Sequence, residues 1–156
     1  MIIGAGRLAR VVAVALADAG MTTIAVTSRK QDAGEKLVAF INSETGATAT
    51  FVPLGQSVAV DGDIAAIVDA TSLGAANPEA KLPLNVESLG PKMVVVEAAY
   101  NTARTWLTHQ AAERGCRVID GLSLYVQQTA LAFRRWTGVT PDTVAMREAA
   151  EEFLGI

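Results

Sequence analysis

The sequence predicts an α/β domain built on a doubly wound parallel sheet, and three observations carry that prediction. Short runs rich in Ile, Val and Thr alternate with longer segments whose apolar residues recur at helical spacing. The first run stops at a glycine-rich turn, Gly4-Ala5-Gly6-Arg7-Leu8-Ala9, and a helical pattern opens directly after it. The run at 93–97 is almost continuously apolar, as strands are when helices cover both faces of a sheet.

Each element has its own signal. Residues 1–3 form a short apolar strand, and Leu8, Val11, Val12, Ala15 and Leu16 mark one face of the first helix, which Gly20 stops. The β-branched run at 22–27 predicts a second strand ended by Ser28-Arg29-Lys30. A helix follows at 35–41, and Asn42 to Gly46 break it. A third strand is expected at 47–52 and a short helix at 58–64. The fourth strand, 65–70, runs into Thr71-Ser72-Leu73-Gly74, and the proline-bearing stretch 75–90 reads as loop with one helical turn. Beyond the fifth strand at 93–97, a helix at 104–114 closes at Gly115 and a sixth strand occupies 116–119. A long helix at 122–137 stops at Gly138, and Thr140 with Pro141 marks the start of the last helix. Right-handed crossovers between such strands give a three-layer, Rossmann-type sheet in the order 3-2-1-4-5-6.

Composition bounds the function. With 156 residues, 51% of them hydrophobic and 19% charged, the chain suits one globular domain over its whole length, 1–156. A formal net charge of −3 argues against a nucleic-acid surface, and the apolar runs are too short and interrupted to span a membrane. One cysteine, Cys116, excludes an internal disulfide and suits a reducing, cytoplasmic setting. His109 has no partner at ligand spacing, so no metal site is expected, and Ser123 has no histidine to make it a nucleophile. Trp106 and Trp136 read as packing anchors, and Glu148, Glu151 and Glu152 as a solvated helix face.

The glycine turn predicts a dinucleotide. Gly4 can take the angles of a tight turn, Gly6 brings no side chain between backbone and ligand, and Ala9 lets the helix lie close to the sheet. The N–H groups that open the helix then face a diphosphate. Where an NAD-binding domain offers a carboxylate to the ribose, this chain offers Ser28, Arg29 and Lys30. A guanidinium grips a 2′-phosphate that a carboxylate would repel, so the expected cofactor is NADP. Arg10 is a further candidate to lie over the adenine or the phosphate.

Later motifs add a family. Ala70-Thr71-Ser72-Leu73-Gly74, Tyr100-Asn101, and Gly115 through Gly121 continuing to Gln128, Phe133 and Trp136-Thr137-Gly138 resemble the C-terminal, NADP-binding domain of the shikimate/quinate dehydrogenases. The resemblance covers essentially the whole chain and implies reversible NADPH-dependent reduction of 3-dehydroshikimate in aromatic amino-acid biosynthesis. It implies that Gly4, Ala5, Gly6, Arg7 and Leu8 hold the diphosphate, and that Ser28, Arg29 and Lys30 read the 2′-phosphate. Ala70, Thr71, Ser72 and Leu73 then pass beside the ribose, while Tyr100, Gly121 and Leu124 border the nicotinamide. Gln128, with Tyr100, would meet a substrate hydroxyl, for which a carboxamide both donates and accepts.

The chain also departs from that pattern. Arg7 stands for a glycine, Asp69 for Asn and Glu97 for Asp; Thr102 and Trp106 each stand for a proline. Ser123-Leu124-Tyr125 replaces a Gly-Met-Leu run. The family's preceding substrate domain, with its catalytic Lys and Asp, has no counterpart in the sequence, and Lys30, Lys36, Lys81 and Lys92 lie at element edges. No catalytic residue is therefore assigned, and a shikimate-type substrate is expected only with a substrate domain as partner.

The alternative is a non-catalytic NADP(H)-binding module or sensor subunit. A glutamyl-tRNA reductase-like or methylene-tetrahydromethanopterin dehydrogenase-like domain is a third reading, against which the 120–128 segment argues. Leu122, Tyr125 and Leu131 are expected to leave an apolar face on the long helix, open to a substrate domain or to a second copy.

Overall fold

The computed structural model describes residues 1–55, 57–60 and 63–156. Among them six strands form one parallel sheet: β1 (Ile2–Ile3), β2 (Thr23–Thr27), β3 (Thr48–Phe51), β4 (Ala66–Asp69), β5 (Val94–Glu97) and β6 (Arg117–Ile119). Their order is β3-β2-β1-β4-β5-β6, as the alternation of elements predicts. The helices are α1 (Arg7–Asp18), α2 (Gln31–Glu44), α3 (Leu73–Ala76), α4 (Trp106–Glu113), α5 (Gly121–Thr137) and α6 (Thr143–Leu154).

The pleat divides the core. Successive side chains of a strand point to opposite faces, so Ile2 joins one apolar cluster and Ile3 the other. On the Ile2 side, Ile24, Val26 and Ala49 meet Ala9 and Ala13 of α1 and Leu37 and Ile41 of α2. Ala9 and Ala13 are fully buried, and their small size lets α1 lie close to the sheet. On the other side, Ile3, Ile67 and Val95 meet Leu107 and Ala111 of α4, and Cys116 is buried there as a small hydrophobe.

Several expected boundaries move, each for a local reason. The helix expected at 35–41 runs from Gln31 to Glu44, with the Gln31 amide donating to Glu35 one turn on at 2.7 Å. The helix expected from 104 begins at Trp106, because Thr105 caps it by accepting the Thr108 N–H. The last helix is opened by Asp142 rather than by Thr140 and Pro141. Its carboxylate accepts the N–H groups of Val144 and Ala145 at 2.8 and 3.2 Å.

The helix expected at 58–64 falls partly outside the described residues. Where described it is not helical, since Val58 makes a parallel bridge to Leu84. Trp136 is not a packing anchor: it is 82% exposed, whereas Trp106 packs against the α4-side core. Leu122 is buried, so it leaves the expected open face, which Tyr125 and Leu131 keep.

Candidate functional site in the crevice between β1 and β4

β1 lies between β2 and β4, with Ile3 opposite Thr27 on one side and Asp69 on the other. The chain therefore winds outward in both directions from this pair, which opens a crevice at the carboxyl ends of β1 and β4. Gly4 sits at its floor with φ at +110° and its N–H donating to the Thr27 carbonyl at 2.8 Å. A Cβ on Gly4 would come within 3.1 Å of the Ala70 carbonyl oxygen and 3.3 Å of the Thr71 methyl. Both the angle and the close approach thus require glycine.

Gly6 serves a different purpose. A Cβ there would meet nothing within 4 Å, so the space above the turn is open. Gly6 is also the N-cap of α1; no side chain caps the helix, and its first turn holds no acidic residue. The leading N–H groups are left to an incoming anion, and Arg7 and Leu8 lie exposed beside them. These features fit the diphosphate of a dinucleotide.

The basic residues lie at the neighbouring strand end. Ser28 donates to the Lys30 carbonyl at 2.7 Å, which folds the turn after β2 and leaves Arg29 and Lys30 exposed. Across the crevice Ala70 donates to the Ile3 carbonyl at 2.9 Å, and Thr71, Ser72 and Leu73 lead into α3. The residues expected around the diphosphate, the ribose and the 2′-phosphate therefore share one edge of the sheet. Arg10 does not join them. Its guanidinium lies 3.6 Å over the Phe40 ring and couples α1 to α2.

Further along the same edge lie Tyr100, Gly121 and Leu124. A Cβ on Gly121 would stand 2.0 Å from the Ala99 carbonyl oxygen, so α5 starts in contact with the loop after β5. Tyr100 stacks on Tyr125, and Gln128 is exposed three residues beyond it on α5. In the sequence Tyr125 is only a departure and a piece of apolar surface; the stack forms through the docking of α5.

Two carboxylates that stand out in the sequence only as departures are buried. Asp69 and Glu97 face each other in register at the ends of β4 and β5, and each is at most 2% exposed. The Asp69 carboxylate accepts the Thr71 N–H at 2.9 Å. Glu97 accepts the Ala99 N–H at 2.9 Å and the Thr105 hydroxyl at 2.8 Å, so it ties both ends of the Tyr100 loop. Burial pushes both carboxyls above their ordinary range; those hydrogen bonds oppose the rise, and for Glu97 the Asp69 charge adds to it. A carboxylate closing an apolar run was the available signal, but the pairing needed the strand register.

A second polar group fastens α6. Arg147 donates to the Ser123 hydroxyl at 2.7 Å and reaches Asp120 at 3.3 Å and Glu151 at 2.8 Å. Partial burial pushes the Asp120 carboxyl up, but the Ser123 N–H and Arg147 outweigh it and hold the group below its usual value. Glu151 is thus an ion-pair partner and not merely part of a solvated face. His109 has a carboxylate partner after all, Glu113 one turn on at 3.4 Å. No group of three or more metal-ligating side chains occurs among the described residues. Nor is any helix among them long and apolar enough to cross a membrane.

Sheet order and glycine turn together define a Rossmann-type α/β domain. A family model described as the shikimate 5′-dehydrogenase C-terminal domain matches residues 121–151. A shikimate dehydrogenase (NADP(+)) of Archaeoglobus fulgidus is 35% identical over 150 residues, covering 96% of this chain and 55% of the relative. One from Halobacterium salinarum is 36% identical over 149 residues, with 96% and 53% covered.

Solved structures agree in fold. A ligand-free 5-ketofructose reductase of Gluconobacter sp. strain CHM43 superposes with a TM-score of 0.93 at 32% identity, over 97% of this chain and 55% of that one. A shikimate dehydrogenase in complex with NADP+ gives 0.84 at 31% identity, over 98% and 53%. By sequence and by fold the chain is similar to shikimate dehydrogenases, and residues 121–151 to their C-terminal domain. It spans about half the length of the relatives it matches.

Proposed function

We propose that the chain is the NADP-binding domain of a shikimate dehydrogenase-like oxidoreductase, whose reaction is the reversible NADPH-dependent reduction of 3-dehydroshikimate. The observation that carries this reading is the Gly4–Gly6 turn opposite Ala70 and Thr71, with Arg29 and Lys30 at the adjoining strand end. On this reading Gly4, Ala5, Gly6, Arg7 and Leu8 hold the diphosphate, and Ser28, Arg29 and Lys30 the 2′-phosphate. Ala70 to Leu73 line the ribose, Tyr100, Gly121 and Leu124 border the nicotinamide, and Gln128 and Tyr100 orient a substrate hydroxyl.

When bound, the dinucleotide supplies or accepts the hydride. The proton of the alcohol needs a separate acid, and no residue of this chain is assigned that role. Lys30, Lys36, Lys81 and Lys92 are all exposed. The acid is therefore assigned to a substrate domain acting with this one. The likeness to a 5-ketofructose reductase, together with the altered 123–125 run, widens the candidate substrates to hydroxylated ketones as a class.

Calorimetry with NADP+ and NAD+ tests the cofactor assignment. NADP+ is expected to bind more tightly, and Arg29→Ala to remove about tenfold to about 100-fold of that preference, the worth of a charge-assisted contact. Equal affinities for the two dinucleotides refute it. Shikimate oxidation is expected only when the chain is joined to the N-terminal half of a relative. Turnover by the chain alone would mean that it carries its own acid, and binding without turnover in either form favours the sensor reading.

A further inference from the structure

Tyr125 has no part in the assignments above, yet its ring lies on that of Tyr100. The centroids are 4.7 Å apart and the planes differ by 16°. The backbone explains the encounter. Gly121 lets α5 start against the Ala99 carbonyl; Tyr100 follows Ala99 directly, and Tyr125 lies one helical turn beyond Gly121. Glu97 holds the loop from beneath through the Ala99 N–H and the Thr105 hydroxyl, so Tyr100 leaves a backbone pinned at both ends.

The pair is not part of the core. Each tyrosine is 44% exposed, and Gln128 lies exposed beyond Tyr125 on α5. A lone loop tyrosine at that exposure samples several rotamers, whereas a stacked one is held to a single orientation at little cost. Two phenol rings in contact make a flat, polarisable ledge suited to a planar heteroaromatic ring, not to a phosphate.

We propose that Tyr125 is a positioning residue, holding Tyr100 as a ledge for the nicotinamide ring at the β5 end of the crevice. The proposal rests on the cofactor reading above and assigns a side chain that reading leaves out. A leucine in its place has no flat face to stack, so the ledge depends on an aromatic residue at 125.

Two ligands separate this proposal from the reading beneath it: NADP+ and 2′-phospho-ADP-ribose, which lacks the nicotinamide. Their binding is measured by calorimetry on the full chain and on Tyr125→Leu and Tyr125→Phe. We expect Tyr125→Leu to weaken NADP+ by about 2-fold to about 12-fold, the range of one aromatic pair, and to leave 2′-phospho-ADP-ribose unchanged. Tyr125→Phe, which keeps the stack, retains the affinity for both. The proposal is overturned if Tyr125→Leu binds NADP+ as the unaltered chain does. It is equally overturned if both ligands weaken together, which would mark Tyr125 as merely structural. Failure of the unaltered chain to bind either ligand overturns the cofactor reading and this proposal with it.

Discussion

Asp69 and Glu97 stand side by side at the ends of adjacent strands, buried, with no cation paired to either among the described residues. Among the described residues their partners are backbone N–H groups and threonine hydroxyls. Such a pair resists double ionisation, because burial and mutual repulsion both favour a retained proton.

The pair makes stability depend on pH in a defined direction. Both native carboxyls lie above their ordinary values of 3.8 and 4.5, so the folded state binds more protons than the unfolded one just above those values. Their contribution is complete below that range and is lost as pH rises through the native values. Asp69→Asn and Glu97→Gln, which keep hydrogen-bonding groups in place, are expected to flatten the fall in Tm as pH rises above the ordinary carboxylate range. Thermal scans across that rise in pH check this, and a Tm that falls equally steeply in the variants would contradict it.

Gly121 tolerates no side chain. An added Cβ would meet the Ala99 carbonyl at 2.0 Å, and both partners are backbone. Gly121→Ala is expected to cost about 3 kcal/mol, the upper part of the overpacking range, and to part Tyr100 from Tyr125. A denaturant midpoint unchanged from the unaltered chain would show that α5 shifts freely.

Arg147 decides how firmly α6 is attached. None of the helix's residues is buried, and Arg147 bridges it to Asp120 and Ser123 of the α5 start. The groups are partly exposed, so Arg147→Ala should cost only about 0.5–1 kcal/mol overall. Its local effect is larger: amide exchange is expected to quicken across 143–154 and to stay unchanged in the sheet. Uniform protection in the variant would assign the docking of α6 to other contacts.

The far end of α5 and the outer face of α6 carry exposed apolar side chains. Leu131, Trp136 and Val144 lie open, and Phe153 is 89% exposed. Apolar surface of that kind is expected to drive self-association unless another domain covers it. Light scattering over a concentration series should show growing mass for the isolated chain. A strict monomer at the highest concentration would count against it.

Much of this architecture is local and therefore readable. Periodicity and glycine stops locate the helices flanking Gly4–Gly6, Gly20 and Gly138, because those signals lie within one turn of the residues they govern. Boundaries fail where side chains compete to cap a helix. Asp142 prevails over Thr140, since its carboxylate lies where two N–H groups converge. Trp136 shows the limit of composition, because a large apolar side chain does not by its type dictate burial, and this one lies open.

By itself the sequence determined the fold class, the glycine turn, the basic pair after β2 and the family resemblance. Each depends on neighbouring residues or on a motif readable in line. Only the tertiary structure set Asp69 against Glu97, Thr105 beneath the Tyr100 loop and Tyr125 on Tyr100. The first and last of those contacts join residues from separate βα units. Their partners are chosen by strand register and by how closely α5 approaches the loop, neither of which a linear pattern encodes.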